Sequence, residues 1–187
     1  MAWTTPKEDF AASEVVGHSH MNAIGANLSV LKTSVNDDGT LKPFRWGRIT
    51  ADVTKTTDTT LSNLTGMSFT VEANKNYFYE FNLKVLGNST ADWKFAVTFP
   101  SAPTDLWYHT FGSNPNSSSD AVNEATTTAG ANVLTHGIST ETCVGVRGVL
   151  RNGANAGTVQ LQWAQRTSSG SSTIRAGSFY LVRELQG

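Results

Sequence analysis

Few side chains in this 187-residue chain could do chemistry, and their spacing brings no catalytic set together. His18 and His20 stand two apart, which on a helix points them to different faces and suits no single-chain metal site. His109 falls in an aromatic stretch, and His136 precedes a glycine at a turn. Glu72, Glu80 and Asp92 fall on polar strand faces or at strand ends, with no pair spaced as an acid/base couple. The chain has no Gly-x-Ser-x-Gly elbow, no phosphate-binding Gly-rich loop and no His-Glu-x-x-His. The aspartates of "NDDGTLKP" lack calcium-loop alternation and read as a linker. No catalytic residue, cofactor or metal ligand is therefore expected. Cys143, the only cysteine, excludes an intrachain disulfide; its neighbours Val144 and Val146 predict a buried structural thiol.

The one constellation suited to a small ligand is Trp107-Tyr108 with the polar stretch after it. Aromatic rings stack on sugar faces and amides hydrogen-bond hydroxyls, so Trp107, Tyr108, Asn114 and Asn116 form a candidate ligand loop. Strand alternation requires one ring of the Trp107-Tyr108 pair to enter the core.

These residues have to be positioned by a β-rich scaffold. Charged residues make up 16% of the chain, against 39% hydrophobic, with abundant Thr, Ser, Asn and Gly. A net charge of −1 and the lack of a basic cluster set nucleic acid aside as a partner. No apolar run approaches the ~20 residues of a membrane span, and "MAWTTPKEDF" lacks a secretory pattern, so synthesis in a cytosol is expected.

From Phe44 onward the apolar period is two. "RITADVTKT", "MSFTVEA", "YFYEFNLKVLG", "WKFAVTFP", "LWYHTF", "CVGVRGVLR", "TVQLQWAQR" and "IRAGSFYLVREL" each predict a half-buried strand. Turns such as Asn74-Lys75-Asn76 predict hairpin-length connections, and residues 112–131 predict a long loop. About eight strands without crossover helices predict an antiparallel β-sandwich of the jelly-roll kind. Before Phe44 the pattern changes. Trp3, Thr4 and Pro6 begin an extended arm that continues through Val15 and Val16. Met21, Ile24, Leu28, Leu31 and Val35 then alternate in threes and fours, the narrow seam of a helix packed on copies of itself. The expected organisation is an arm over 1–18, a trimerising helix over 19–35, a linker over 36–44 and a jelly roll over 45–187.

The segment "WTTPKEDFAASEVVGHSHMNAIGANLSVLK" resembles one that opens many small structural proteins of tailed bacteriophages, through Trp3, Thr4, Pro6, Glu14, Val16, Asn22, Asn27, Leu28 and Leu31. It departs from that pattern at Gly17-His18, where Thr-Ala is usual, and at Ser13, often Gly. "FTVEANKNYFYEF" and "GTVQLQWAQ" with "IRAGSFYLVREL" are similar to phage jelly rolls of the complement-globular and tumour-necrosis-factor type. The resemblance implies a non-enzymatic homotrimer held on the virion by its N-terminal part, after assembly in the bacterial cytoplasm. It implies docking of Trp3, Thr4, Pro6, Val15 and Val16 on the major capsid protein or another virion protein. Two positions on the virion follow: a capsid decoration or head fibre, or a tail fibre whose outer loops read a host surface glycan.

Overall fold

The computed structural model describes residues 44–87, 90–112, 125–135 and 139–185. The arm, the helix seam, most of the linker, Asn114, Asn116, His18, His20 and His136 lie outside the described residues.

The described part is all-β. Its strands are β1 (Arg45–Arg48), β2 (Val53–Thr56), β3 (Ser62–Val71), β4 (Asn76–Leu86), β5 (Trp93–Thr98) and β6 (Asp105–Phe111). They continue as β7 (Ala125–Thr126), β8 (Val133–Thr135), β9 (Thr142–Arg151), β10 (Gly157–Gln165), β11 (Ser171–Ile174) and β12 (Phe179–Leu185). All pairings are antiparallel. One sheet runs β1-β12-β4-β9-β6-β7, with β11 pairing the last residues of β4 beyond β12 and β2 pairing β11; the other runs β3-β10-β5-β8.

Alternation puts one face of each strand inside. In β4 the inward residues are Tyr77, Tyr79, Phe81, Leu83 and Val85, all buried. Across from them Phe69 of β3 sits 5.8 Å from the Tyr79 ring, 6.0 Å from Phe81 and 5.6 Å from Tyr180 of β12. Phe99 extends this aromatic layer to Tyr79 and Tyr108. These rings join the two sheets through one core, which Trp93, Phe95 and Trp163 extend.

Three sequence expectations are corrected by this pairing. The turn at Asn74 joins no hairpin: β3 lies in the small sheet and β4 in the large one. The 72–75 connection crosses between sheets and is clamped there. Glu72 N donates to the Tyr77 hydroxyl at 2.9 Å, and Asn152 Nδ2 donates to Glu72 O at 2.7 Å. Likewise β9 and β10, joined by a short turn, belong to different sheets, as do β10 and β12.

Second, "RITADVTKT" and "IRAGSFYLVREL" are each interrupted, at 49–52 and 175–178, opposite one another. There Ile49 N donates to Ser178 O and Gly177 N to Ile49 O, keeping the two segments paired through the break. Arg175 fills the outside of the break, bonding Asp52 at 2.6 Å and Glu141 at 2.9 Å, while Lys84 bonds Glu141 at 2.8 Å. Third, Cys143 is exposed rather than buried. Val144 and Val146 point inward, so the residue before Val144 must point out.

The long loop expected over 112–131 also contains a strand, since β7 pairs with Tyr108 and His109 of β6. Two residues are too short for a periodicity to register.

Candidate functional site

The two sheets present opposite chemistry to the outside. The outward positions of the small sheet are polar: Ser68 and Thr70 of β3, Thr158, Gln160 and Gln162 of β10, Lys94 and Thr98 of β5. The outward positions of the large sheet mix aromatic and aliphatic side chains with charged ones. Register aligns them in rows across five strands. Leu181, Glu80, Arg147 and His109 are successive partners, with Trp46 of β1 opposite Leu181. The row on one side reads Arg183, Phe78, Val149 and Trp107, and that on the other Arg48, Phe179, Asn82, Gly145 and Phe111.

This face keeps its large apolar groups in contact with solvent. Trp46 is 64% exposed, Phe44 50%, Trp107 40% and Phe179 38%. Phe78, Val149, Leu181 and Phe111 between them are half-buried. The Arg183 guanidinium lies 6.0 Å from the Phe44 ring centre, and Arg183 Nε is buried with no acceptor among the described residues. An outward aromatic face of this breadth is what an interaction surface looks like; scattered single apolar residues are not.

At the β6 side the rings are ordered. Trp107 and His109 stack 5.3 Å apart, and Arg147 Nε donates to His109 Nε2 at 3.1 Å. The same guanidinium lies 4.7 Å from the Phe111 ring centre. Phe111 lies over Gly145, where any Cβ would come within 1.9 Å of the ring. Burial and then the Arg147 charge hold His109 below its ordinary value of 6.5, against a weaker opposing pull from Glu80. An Nε2 that accepts from Arg147 is unprotonated, so the pair carries one positive charge rather than two.

Of the candidate ligand residues, Trp107 is outward as alternation allows. Tyr108 is fully buried, and its hydroxyl donates to Ala131 O, which removes it from any ligand surface. Glu72 and Asp92 lie at strand ends and Glu80 on the outward face, as expected. Among the described residues no group of three His, Cys, Asp or Glu is placed to hold a metal ion. Nor is any helix there long and apolar enough to cross a membrane. The outward apolar set of Trp46, Phe78, Phe179 and Leu181 was missed in the sequence. Its signal was present as consecutive apolar residues, "NYFYEF" and "FYLV", in strands whose other face was already apolar.

No protein-family model matches the chain, and no curated protein matches it. Among solved structures it is similar to the tripod from the baseplate of bacteriophage Tuc2009, at 13% identity and a TM-score of 0.30. That match covers 98% of this chain and 99% of the other. It is also similar to infectious bursal disease virus, Gx strain, at 12% identity and a TM-score of 0.19, covering 77% of this chain and 39% of that one. The VP2 subviral particle of infectious bursal disease virus matches at 12% identity and a TM-score of 0.21, covering 78% and 42%.

Proposed function

We propose that the chain is a non-enzymatic structural protein of a tailed-phage virion, a homotrimer that docks through residues 1–18 and projects a jelly roll. The jelly-roll reading is supported by strand order. Taking β1, β3, β4, β5, β8, β9, β10 and β12 as strands one to eight, the sheets read 1-8-3-6 and 2-7-4-5. That order is two Greek keys wound together. The segment from Trp3 to Leu31, similar to phage anchor segments, supports the virion setting.

One structural observation carries the docking-and-projection reading. The chain enters the β domain at Phe44 beside Arg183 near the end of β12, at the same end as the 72–75 and 152–156 turns. Within the β domain the 57–61 and 166–170 loops lie at the end opposite Phe44. We place the protein on the head, as a decoration or head-fibre protein. Helices pairing along Met21, Ile24, Leu28, Leu31 and Val35 set the threefold axis, and Leu28→Asp yields monomers if they do. Immunogold labelling of phage particles with an antibody to the β domain tests the placement: gold over the heads supports it, and unlabelled virions reject it.

A second reading is favoured by the stacked Trp107-His109 pair, an exposed planar platform of the kind that receives a sugar ring. In that reading the protein is a tail-fibre adhesin. Gold at the tail tip, with glycan binding lost in Trp107→Ala, would favour it over the head.

A further inference from the structure

We infer that the outward row of β6, Trp107, His109 and Phe111, forms with Arg147 of β9 a binding site for an acidic oligosaccharide. The rings receive the faces of its sugars, and the Arg147 guanidinium receives its anionic group. The inference rests on the platform reading of Trp107 and His109 above, adds the class of sugar to it, and holds for a head or a tail position alike.

The eight-strand order does not need β6. This strand follows β5 and precedes β8 in the chain, and it is added to the large sheet beyond β9. Its inward residues Leu106, Tyr108 and Thr110 are buried, so the outward row stands on a rigid support. On its other side, among the described residues, β7 sets Ala125 beside His109, and a methyl group leaves the rings open. From Trp107 to Phe111 the row covers four steps of ~3.4 Å, roughly 14 Å. That is longer than one pyranose ring, and it suits a short chain of sugars.

Arg147 supplies the charge. Its Nε donates to His109 Nε2 at 3.1 Å and its guanidinium carbon lies 4.7 Å from the Phe111 ring centre, so two neighbours orient the group. The side chain is exposed, and its Nη groups enter no ion pair among the described residues. Their fork matches two oxygens of a carboxylate or a phosphate. Glu80, in register with Arg147 on β4, accepts from Asn82 Nδ2 at 2.8 Å, and Lys84 is paired with Glu141 at 2.8 Å. Across the strands of this face the carboxylates of Glu80 and Asp105 stand against the guanidinium groups of Arg48, Arg147, Arg151 and Arg183. The face is therefore positive on a chain whose net charge is −1, and it favours an anionic ligand. Nucleic acid also combines flat groups with negative charge. It would need several cations beside the rings, and among the described residues only Arg147 contacts the row.

The test is isothermal titration calorimetry of the full chain with a galacturonate tetrasaccharide, maltotetraose, phosphorylated maltotetraose and a short oligothymidylate. An acidic sugar is expected to bind roughly tenfold tighter than neutral maltotetraose, and the tighter of the two acidic sugars identifies the anion as carboxylate or phosphate. This comparison needs no variant. Arg147→Gln is expected to bring the acidic sugar down to the affinity of maltotetraose, and Trp107→Ala to abolish binding of both. Both side chains are exposed, so the fold should survive, with circular dichroism as the check. Equal affinity for acidic and neutral sugars, or unchanged affinity in a folded Arg147→Gln, overturns the inference and leaves the platform reading standing. No binding of any sugar overturns both. Oligothymidylate binding tighter than either acidic sugar also overturns the inference and assigns the site to nucleic acid.

Discussion

Arg147 Nε donates to His109 Nε2 at 3.1 Å across β9 and β6, on the same face where Trp107 stacks on His109. A protonated imidazole could not accept that bond, and it would set two cations side by side among aromatic rings. Burial and Arg147 therefore depress the His109 pKa in the folded chain. With the native value below 6.5, the unfolded state takes up its proton first as pH falls. The contribution of His109 to stability is present above pH 6.5 and is lost progressively below it, down to the native value. Urea unfolding at pH 7.5 and 5 should show a loss for wild type that is smaller in His109→Gln; equal losses would remove the pair from the pH response.

At Gly148, β6, β9 and the core meet closely. A Cβ there would lie 2.2 Å from Trp107 O, 2.6 Å from the Tyr79 hydroxyl and 2.8 Å from Tyr108 Cβ. Gly148→Ala should cost about 1–3 kcal/mol by overpacking, read as a lower urea midpoint. An unchanged midpoint would mean that β6 moves off β9 at no cost.

Gln165, fully buried, ties two loops together. Its Oε1 accepts from Asp58 N at 2.9 Å, and its Nε2 donates to Ser169 O and Gly170 O at 3.0 Å and to Ser172 Oγ at 3.1 Å. Gln165→Leu removes every one of these bonds and takes from the Asp58 amide its acceptor, while Gly170 O keeps its bond from Thr57 N. A loss of about 1–3 kcal/mol is expected, together with faster amide exchange at Asp58. Wild-type exchange at that amide would contradict the role.

Asp52 holds the break between β1 and β2 by accepting from Ala176 N at 2.8 Å and pairing with Arg175 at 2.6 Å. The backbone bond first and the Arg175 bond next lower its pKa from 3.8. A carboxylate with a lowered native value stabilises the fold above pH 3.8, and that contribution is lost as pH falls through the native value. Asp52→Asn should melt below wild type at pH 7, with the gap closing in acid. Exposure of the pair to solvent predicts that added salt also narrows the gap. A gap constant from pH 7 to acid would rule out the carboxylate charge as its source.

Phe81 takes part in the aromatic layer with Phe69, Tyr79 and Tyr180 and is fully buried. Phe81→Ala should lose about 3–5 kcal/mol through lost transfer energy and a cavity, and a two-state urea titration measures it directly.

Much of the scaffold was legible in the sequence. Tyr77, Tyr79, Phe81, Leu83 and Val85 alternate strictly, and all five are inside, because a strand of period two has only two faces and water selects between them. The same rule separates Trp107 from Tyr108. It also decides against burial of Cys143, once Val144 is taken as inward. The chain's own residues also determined its near-neutral charge.

Which strands pair was decided only in the folded chain. "FTVEANKNYFYEF" has the form of a hairpin, yet β3 and β4 part to opposite sheets, and β4 instead pairs with β9 and β12, some seventy and a hundred positions away. Alternation is a local property; partner choice depends on how two sheets share one core, and no window of a few residues contains that information. The outward aromatic face has the same origin. Trp46, Leu181, Phe78 and Trp107 come from four separate strands, and they form one surface because register aligns them.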